Sequence, residues 1–281
     1  MLVDKLPVLL LTGYLGSGKT TLLNRILSNK KGIRFAVIVN DIGEVNIDAT
    51  LIQRGGVVSQ QDDNLIALQN GCICCSLKMD MVQQLRDLAA QNCFDYIVIE
   101  ASGICEPVPI AQTICSYPEI VPHSEAAIPT LDSIVTVVDA LRLRDEFASG
   151  DALQRTNIPE EDLASLVIQQ IEFCNLILLN KASEVSEHER QHIRAIIRAI
   201  QPKAEIIECD YCDVPFSKLL DTDSFNFDEV ATSAAWLQGV ESEVESKDEN
   251  HHHHEHHHEH HHHEHGECDN PHCHCHEHHH E

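Results

Sequence analysis

Residues Val8–Leu27 read VLLLTGYLGSGKTTLLNRIL, and this stretch decides the fold. An apolar run ends at Thr12, and Gly13–Thr20 then matches G-x-x-x-x-G-K-[ST]. A helical pattern follows. The glycines let the backbone wrap so that successive N–H groups point at phosphate oxygens, and the helix N-terminus adds partial positive charge. Lys19 should bridge β- and γ-phosphates, and Thr20 should ligate Mg²⁺. Gly13, Gly16, Ser17, Gly18, Lys19, Thr20 and Thr21 are therefore candidate nucleotide contacts.

Working outward, short apolar runs alternate with helical patterns. Expected strands are Val8–Thr12, Phe35–Asn40, Leu65–Leu68, Tyr96–Glu100, Ser133–Asp139 and Leu176–Asn180, with a weaker one at Ala204–Glu208. Nearly all-apolar strands suit a parallel sheet covered on both faces. Expected helices are Lys19–Asn29, Leu77–Gln91 and Glu187–Ile200; the last opens with Ser186 and Glu189 in capping-box spacing and stops before Pro202. The predicted fold is α/β: a P-loop NTPase with a mostly parallel, doubly wound sheet.

Other strand ends supply further candidates. In DYIVIEASG, Glu100 follows four residues of apolar strand and is the candidate catalytic carboxylate, beside Mg²⁺ or the attacking water; Gly103 is placed near the γ-phosphate. Asp139, ending SIVTVVD, is read as structural. In LILLNKASE, Asn180 and Lys181 stand where a base-reading loop belongs. A guanine-reading loop has Asn-Lys-x-Asp, whose carboxylate accepts from the ring N–H and the exocyclic amine. Here the fourth position is Ser183, with Glu184 next, which weakens the guanine preference unless Glu184 shifts into the role.

NGCICCSL places Cys72, Cys74 and Cys75 within four positions. Such close pairs strain a disulfide, and no base stands nearby to activate a thiol. Thiolates suit Zn²⁺ or Cu(I), and a Cys-x-Cys-Cys turn can converge two or three sulfurs on one ion. Metal ligation fits best, with core packing and a redox role as the alternatives. Cys209 and Cys212 have C-x-x-C spacing, weak evidence for metal when alone. Cys93, Cys105, Cys115 and Cys174 read as core residues, and His123, His188 and His192 as surface residues.

The charge is −26, with 12 cysteines in the chain. So acidic a chain is excluded from nonspecific nucleic-acid binding and from anionic membrane surfaces. The apolar run Leu6–Leu11 is too short for a signal segment or a membrane span, so a cytoplasmic protein with reduced thiols is expected. From His251 onward the chain holds 18 of its 21 histidines, punctuated by glutamates. His251, His252, His253, His254, His272, Cys273, His274, Cys275 and His276 are candidate ligands of a low-complexity metal-binding tail, 251–281, expected to be disordered without metal. Residues 226–250 read as an acidic linker and 1–225 as the nucleotide-binding domain.

Taken together, LPVLLLTGYLGSGKTTLLNRIL, VIVNDIGEVNID, NGCICCSL, IVIEASGICEP, VTVVDA and QIEFCNLILLNK resemble the CobW-type P-loop GTPases, over roughly residues 5–215. The resemblance implies a GTP-hydrolysing metallochaperone, often for Zn²⁺ and in some members Co²⁺, with Ni²⁺ handled by related enzymes. It implies that the Cys-x-Cys-Cys segment couples nucleotide state to metal, and that Cys75, Ser76 and Lys78 lie close to the nucleotide. Asp41 stands where the family commonly has Glu and is a further candidate metal ligand. Many members carry a C-terminal β/α domain; here it is expected to be absent, or a vestige within 226–250. The expected cofactors are GTP, Mg²⁺ and Zn²⁺ (or Co²⁺ or Ni²⁺). A client metalloprotein is the expected partner, and a homodimer stays open. The alternative is a His-rich metal store with residual NTPase activity.

Overall fold

The computed structural model describes residues 4–28, 32–40, 65–70, 78–121, 126–147 and 163–227. The chain divides into two units, Met1–Gly239 and Val240–Glu281, and every described residue belongs to the first.

The strands are β1 (Lys5–Thr12), β2 (Phe35–Asn40), β3 (Leu65–Asn70), β4 (Tyr96–Glu100), β5 (Ile128–Asp139), β6 (Leu176–Asn180) and β7 (Glu205–Glu208). The helices are α1 (Lys19–Leu27), α2 (Lys78–Gln91), α3 (Pro107–Cys115), α4 (Tyr117–Ile120), α5 (Ala140–Phe147), α6 (Leu163–Glu172) and α7 (Glu187–Ile200). Among the described residues the strands form one sheet in the order β3-β2-β4-β1-β5-β6-β7, with every pairing parallel.

Successive strand residues point to opposite faces, and both faces are buried. Val8 and Leu10 of β1, with Ile97 and Ile99 of β4, meet α2, α3, α6 and α7 on one side. Leu9 and Leu11, with Tyr96 and Val98, meet α1 and the segment from Cys209 to Leu220 on the other. Leu22, Leu23 and Ile26 of α1 have no exposed surface, and each such burial stabilises by about 1.5–3 kcal/mol. The α7 start is as the sequence predicts: Ser186 Oγ accepts from the Glu189 N–H at 3.3 Å, and Glu189 Oε2 accepts from the Ser186 N–H at 2.6 Å.

The structure extends the expected strands in three places. β1 begins at Lys5 rather than Val8. β3 continues to Asn70, and β5 begins five residues earlier than expected, at Ile128. The early part of β5 pairs with Lys5–Val8, and the register slips between Val8 and Leu9, leaving Asp132 as an extra residue on β5. This bulge gives the Asp132 carboxylate a structural task. It accepts from the Tyr96 hydroxyl and from the N–H groups of Thr222 and Asp223, while the Phe225 N–H donates to the Asp132 carbonyl at 2.9 Å. Burial and the Asp132 carboxylate together push the Tyr96 hydroxyl pKa up. Residues 222–225 are thus fastened to the bulge in β5, beside the first residue of β4.

Helices α3, α4, α5 and α6 have no counterpart in the expected pattern. Pro107 sits in the first turn of α3, where its missing N–H costs nothing. α3 is buried nearly all round, so it carries no amphipathic stripe to read.

Candidate functional site

The carboxyl ends of β1, β4, β5, β6 and β7 converge where ligands bind in open α/β sheets. The phosphate loop leaves β1 at Thr12. Gly13 has φ +134°, and a Cβ there would lie 2.3 Å from the Val137 carbonyl oxygen. Gly18 has φ +117°, and its Cβ would lie 2.5 Å from Asn180 Nδ2. Both positions require glycine for space as well as for backbone angle. The loop closes through the Ser17 N–H donating to the Tyr14 carbonyl at 3.2 Å. Arg142 stacks 4.0 Å from the Tyr14 ring centroid and braces the outer side of the loop.

Within the loop, Lys19 is only 7% exposed, and its Nζ donates to the Tyr14 carbonyl at 3.3 Å. Ser17 Oγ is buried and makes no hydrogen bond among the described residues. A buried hydroxyl beside a lysine and a helix N-terminus suits an anionic phosphate oxygen. The Thr20 hydroxyl donates to Glu100 Oε1 at 3.0 Å, and Glu100 is 2% exposed. A hydroxyl and a carboxylate side by side are hard oxygen donors of the kind Mg²⁺ takes.

The chain after β4 is pressed onto this loop. A Cβ on Gly103 would meet the Leu15 backbone nitrogen at 2.7 Å. Gln170 of α6 holds the segment by donating to the carbonyls of Gly103 and Cys105, at 3.3 and 3.2 Å. Thr12 Oγ1 lies 2.8 Å from Thr136 Oγ1, which donates to the Gln170 carbonyl at 2.7 Å. α6 is thereby tied to the strand that launches the loop. Sequence pattern did not single out Gln170, because its partners lie 65 and 67 residues away.

The structure draws Asn180, Lys181, Asp139 and the Cys209–Asp213 loop together. Asn180 is 3% exposed. Its Nδ2 donates to the Ser17 carbonyl at 2.8 Å, and its Oδ1 accepts from the Cys212 N–H at 3.0 Å. One side chain thus braces the phosphate loop against the loop after β7. Lys181 has φ +60° and pairs with Asp139. Asp139 also accepts from the N–H groups of Leu141 and Arg142, capping α5, which is the structural role expected of it. Glu184 is exposed on a 3₁₀ turn, Ala182–Glu184.

Cys209 and Cys212 are both buried in this region. Cys212 Sγ lies 3.4 Å from the Gly18 carbonyl oxygen. Contact between the two thiols holds the Cys209 pKa down and pushes that of Cys212 up. Burial pushes Cys115 up to about 11 and Cys174 up to about 12. No group of three or more His, Cys, Asp or Glu residues suited to a metal ion occurs among the described residues. His188 and His192 are exposed. Asp41, Cys72, Cys74, Cys75, Ser76 and the tail ligands from His251 to His276 lie outside the described residues. Lys78 begins α2, its side chain outside them.

Fold and loop define a P-loop nucleotide-binding protein. Residues 7–208 match the family model described as CobW/HypB/UreG, nucleotide-binding domain, and the chain belongs to that family. It is 39% identical over 247 residues to a zinc-regulated GTPase metalloprotein activator 1 of Dictyostelium discoideum, covering 84% of this chain and 52% of that protein. It is 33% identical over 229 residues to a zinc chaperone CobW of Pseudomonas aeruginosa, covering 77% and 60%. The solved Zn(II)-bound YjiA GTPase of E. coli is similar with a TM-score of 0.53 and 27% identity, over 79% of this chain and 63% of that one. The chain thus spans about half to two thirds of the length of these relatives.

Proposed function

We propose that this chain is a GTP-hydrolysing metallochaperone that binds Zn²⁺ and hands it to client metalloproteins in the cytoplasm. The observation that carries the reading is the phosphate loop with Thr20 against a buried Glu100, in a family whose members include proteins named zinc chaperone and zinc-regulated GTPase.

The loop backbone and Lys19 receive the β- and γ-phosphates, Lys19 exchanging its bond to the Tyr14 carbonyl for phosphate oxygens. Thr20 and Glu100 would hold Mg²⁺, which supplies charge neutralisation at those phosphates. Glu100, buried and hydrogen-bonded, orients the attacking water or its metal-bound neighbour. Gly103, packed on Leu15, is read as the position near the γ-phosphate through which hydrolysis would be felt. Cys72, Cys74 and Cys75, with Asp41, take the transferred ion, and Cys75, Ser76 and Lys78 link that segment to the nucleotide. The imidazoles and thiols of 251–281 collect the ion first, and their tether raises its local concentration. Co²⁺ and Ni²⁺ suit the same imidazole donors.

The test is a Zn²⁺ titration of the full chain bound to GDP and to a non-hydrolysable GTP analogue. The two nucleotide states should differ in affinity for one thiolate-dependent Zn²⁺, and Zn²⁺ should shift nucleotide affinity by the same factor. Identical Zn²⁺ affinities in both states would refute the coupling.

A further inference from the structure

The Asn180-Lys181-Ala182-Ser183 segment lacks a carboxylate at its fourth position, yet the structure places one there from another loop. The Ser183 N–H donates to Asp210 Oδ1 at 3.1 Å. The two loops are laced at three further points. The Ala182 N–H donates to the Cys209 carbonyl at 3.1 Å, the Cys209 N–H to the Leu179 carbonyl at 3.0 Å, and the Cys212 N–H to Asn180 Oδ1 at 3.0 Å. Asp210 is therefore not a loose surface acid. A tight turn holds it, closed by the Asp213 N–H donating to the Asp210 carbonyl at 3.0 Å, with Tyr211 and Cys212 at φ +52° and +54°. Left-handed angles at two consecutive non-glycine residues persist only where the surroundings enforce them. Here Cys212 is locked by Asn180 and by packing on Gly18.

Asp210 is half-buried, and its Oδ2 makes no hydrogen bond among the described residues. One oxygen is thus spent on orientation and the other remains to accept. Tyr211, 76% exposed, stands next to it at the same rim. Glu184, the other carboxylate near the fourth position, is exposed on its turn and makes no hydrogen bond to the Cys209–Asp213 loop.

We infer that Asp210 supplies the base-reading carboxylate that Ser183 cannot, accepting from the ring N–H and the exocyclic amine of guanine. The inference rests on the GTP reading above and deepens it, assigning specificity to a residue of the loop after β7. Adenine presents a ring acceptor where guanine presents a donor, so the same carboxylate repels it.

The test measures binding of GDP, IDP, XDP and ADP to the full chain, to Asp210→Asn and to Glu184→Gln. The full chain should prefer GDP, and should bind IDP, which lacks the exocyclic amine, more weakly. Asp210→Asn keeps an acceptor for the Ser183 N–H while presenting an amide donor. It should lose about tenfold or more in GDP affinity, the value of a charge-assisted hydrogen bond. It should gain XDP relative to GDP, because xanthine carries an acceptor in place of the amine. Its melting temperature should match the parent while its KM for GTP rises, a pairing that a merely structural role would not predict. Wild-type preference for ADP over GDP would overturn the GTP reading itself. GDP preference with an unchanged GDP-to-XDP ratio in Asp210→Asn, or a switch caused by Glu184→Gln instead, would overturn the assignment to Asp210.

Discussion

Replacing Asn180 by alanine should show how much of the nucleotide site one buried amide holds in place. The side chain makes two hydrogen bonds, to the Ser17 carbonyl at 2.8 Å and from the Cys212 N–H at 3.0 Å. Ser17 and Cys212 are each 1% exposed, so neither group finds bulk water when the amide is removed. Each orphaned buried group costs about 1–3 kcal/mol. Two of them give about 2–6 kcal/mol, before any loss of packing. For a domain of this size, where 1 kcal/mol shifts the melting temperature by about 2–4 °C, a central cost of about 4 kcal/mol predicts a fall of about 8–16 °C. Urea unfolding of the nucleotide-free protein and thermal melts give the number directly. Nucleotide affinity should fall alongside, because the Ser17 carbonyl belongs to the phosphate loop. A loss under about 1 kcal/mol with unchanged nucleotide affinity would refute the bracing role, since it would mean that water replaces both bonds at no cost.

Further outcomes follow from the same geometry. Lys19→Ala should lower GTP affinity by about tenfold or more, the value of a charge-assisted hydrogen bond, read by fluorescent-nucleotide titration; unchanged affinity would exclude Lys19 from phosphate contact. Glu100→Gln should cut turnover by about a hundredfold or more while leaving GDP binding within a few fold, checked by steady-state phosphate release. Deleting 241–281 should remove most of the bound Zn²⁺ counted by equilibrium dialysis yet keep one tight thiolate-dependent ion; loss of every tight site would favour a store over a chaperone. Zn²⁺ uptake by the tail should fall steeply below about pH 6, because protons compete for imidazoles with a reference pKa near 6.5. Uptake flat from pH 7.5 to 5 would point to other ligands.

The strands were legible because a parallel sheet covered on both faces needs nearly continuous apolar runs, and such runs are visible one segment at a time. The phosphate loop was legible for a related reason: Gly13, Gly18, Lys19 and Thr20 act within one turn of chain. The first five residues of β5 carry Pro129 and Asp132, which interrupt the apolar run; the bulge and the Tyr96 contact account for Asp132. α3 was hidden by two prolines and by burial on most sides. Within the site, the bracing by Asn180 and Gln170 depends on partners 32 to 163 residues away. Asp210 was passed over for a similar reason. Local reading looked for a missing acid at the next position, Glu184, whereas the contact that matters crosses 27 residues.

The Asp132 bulge also marks a level in the sheet. Tyr96 opens β4, Asp132 lies seven residues before the end of β5, and the nucleotide loops lie at the opposite ends of those strands. At about 3.3 Å per residue the separation is about 13 Å along β4 and about 23 Å along β5. Residues 222, 223 and 225 are fastened at that level, so a change at Asp132 is felt at the opposite end of the sheet from the nucleotide loops.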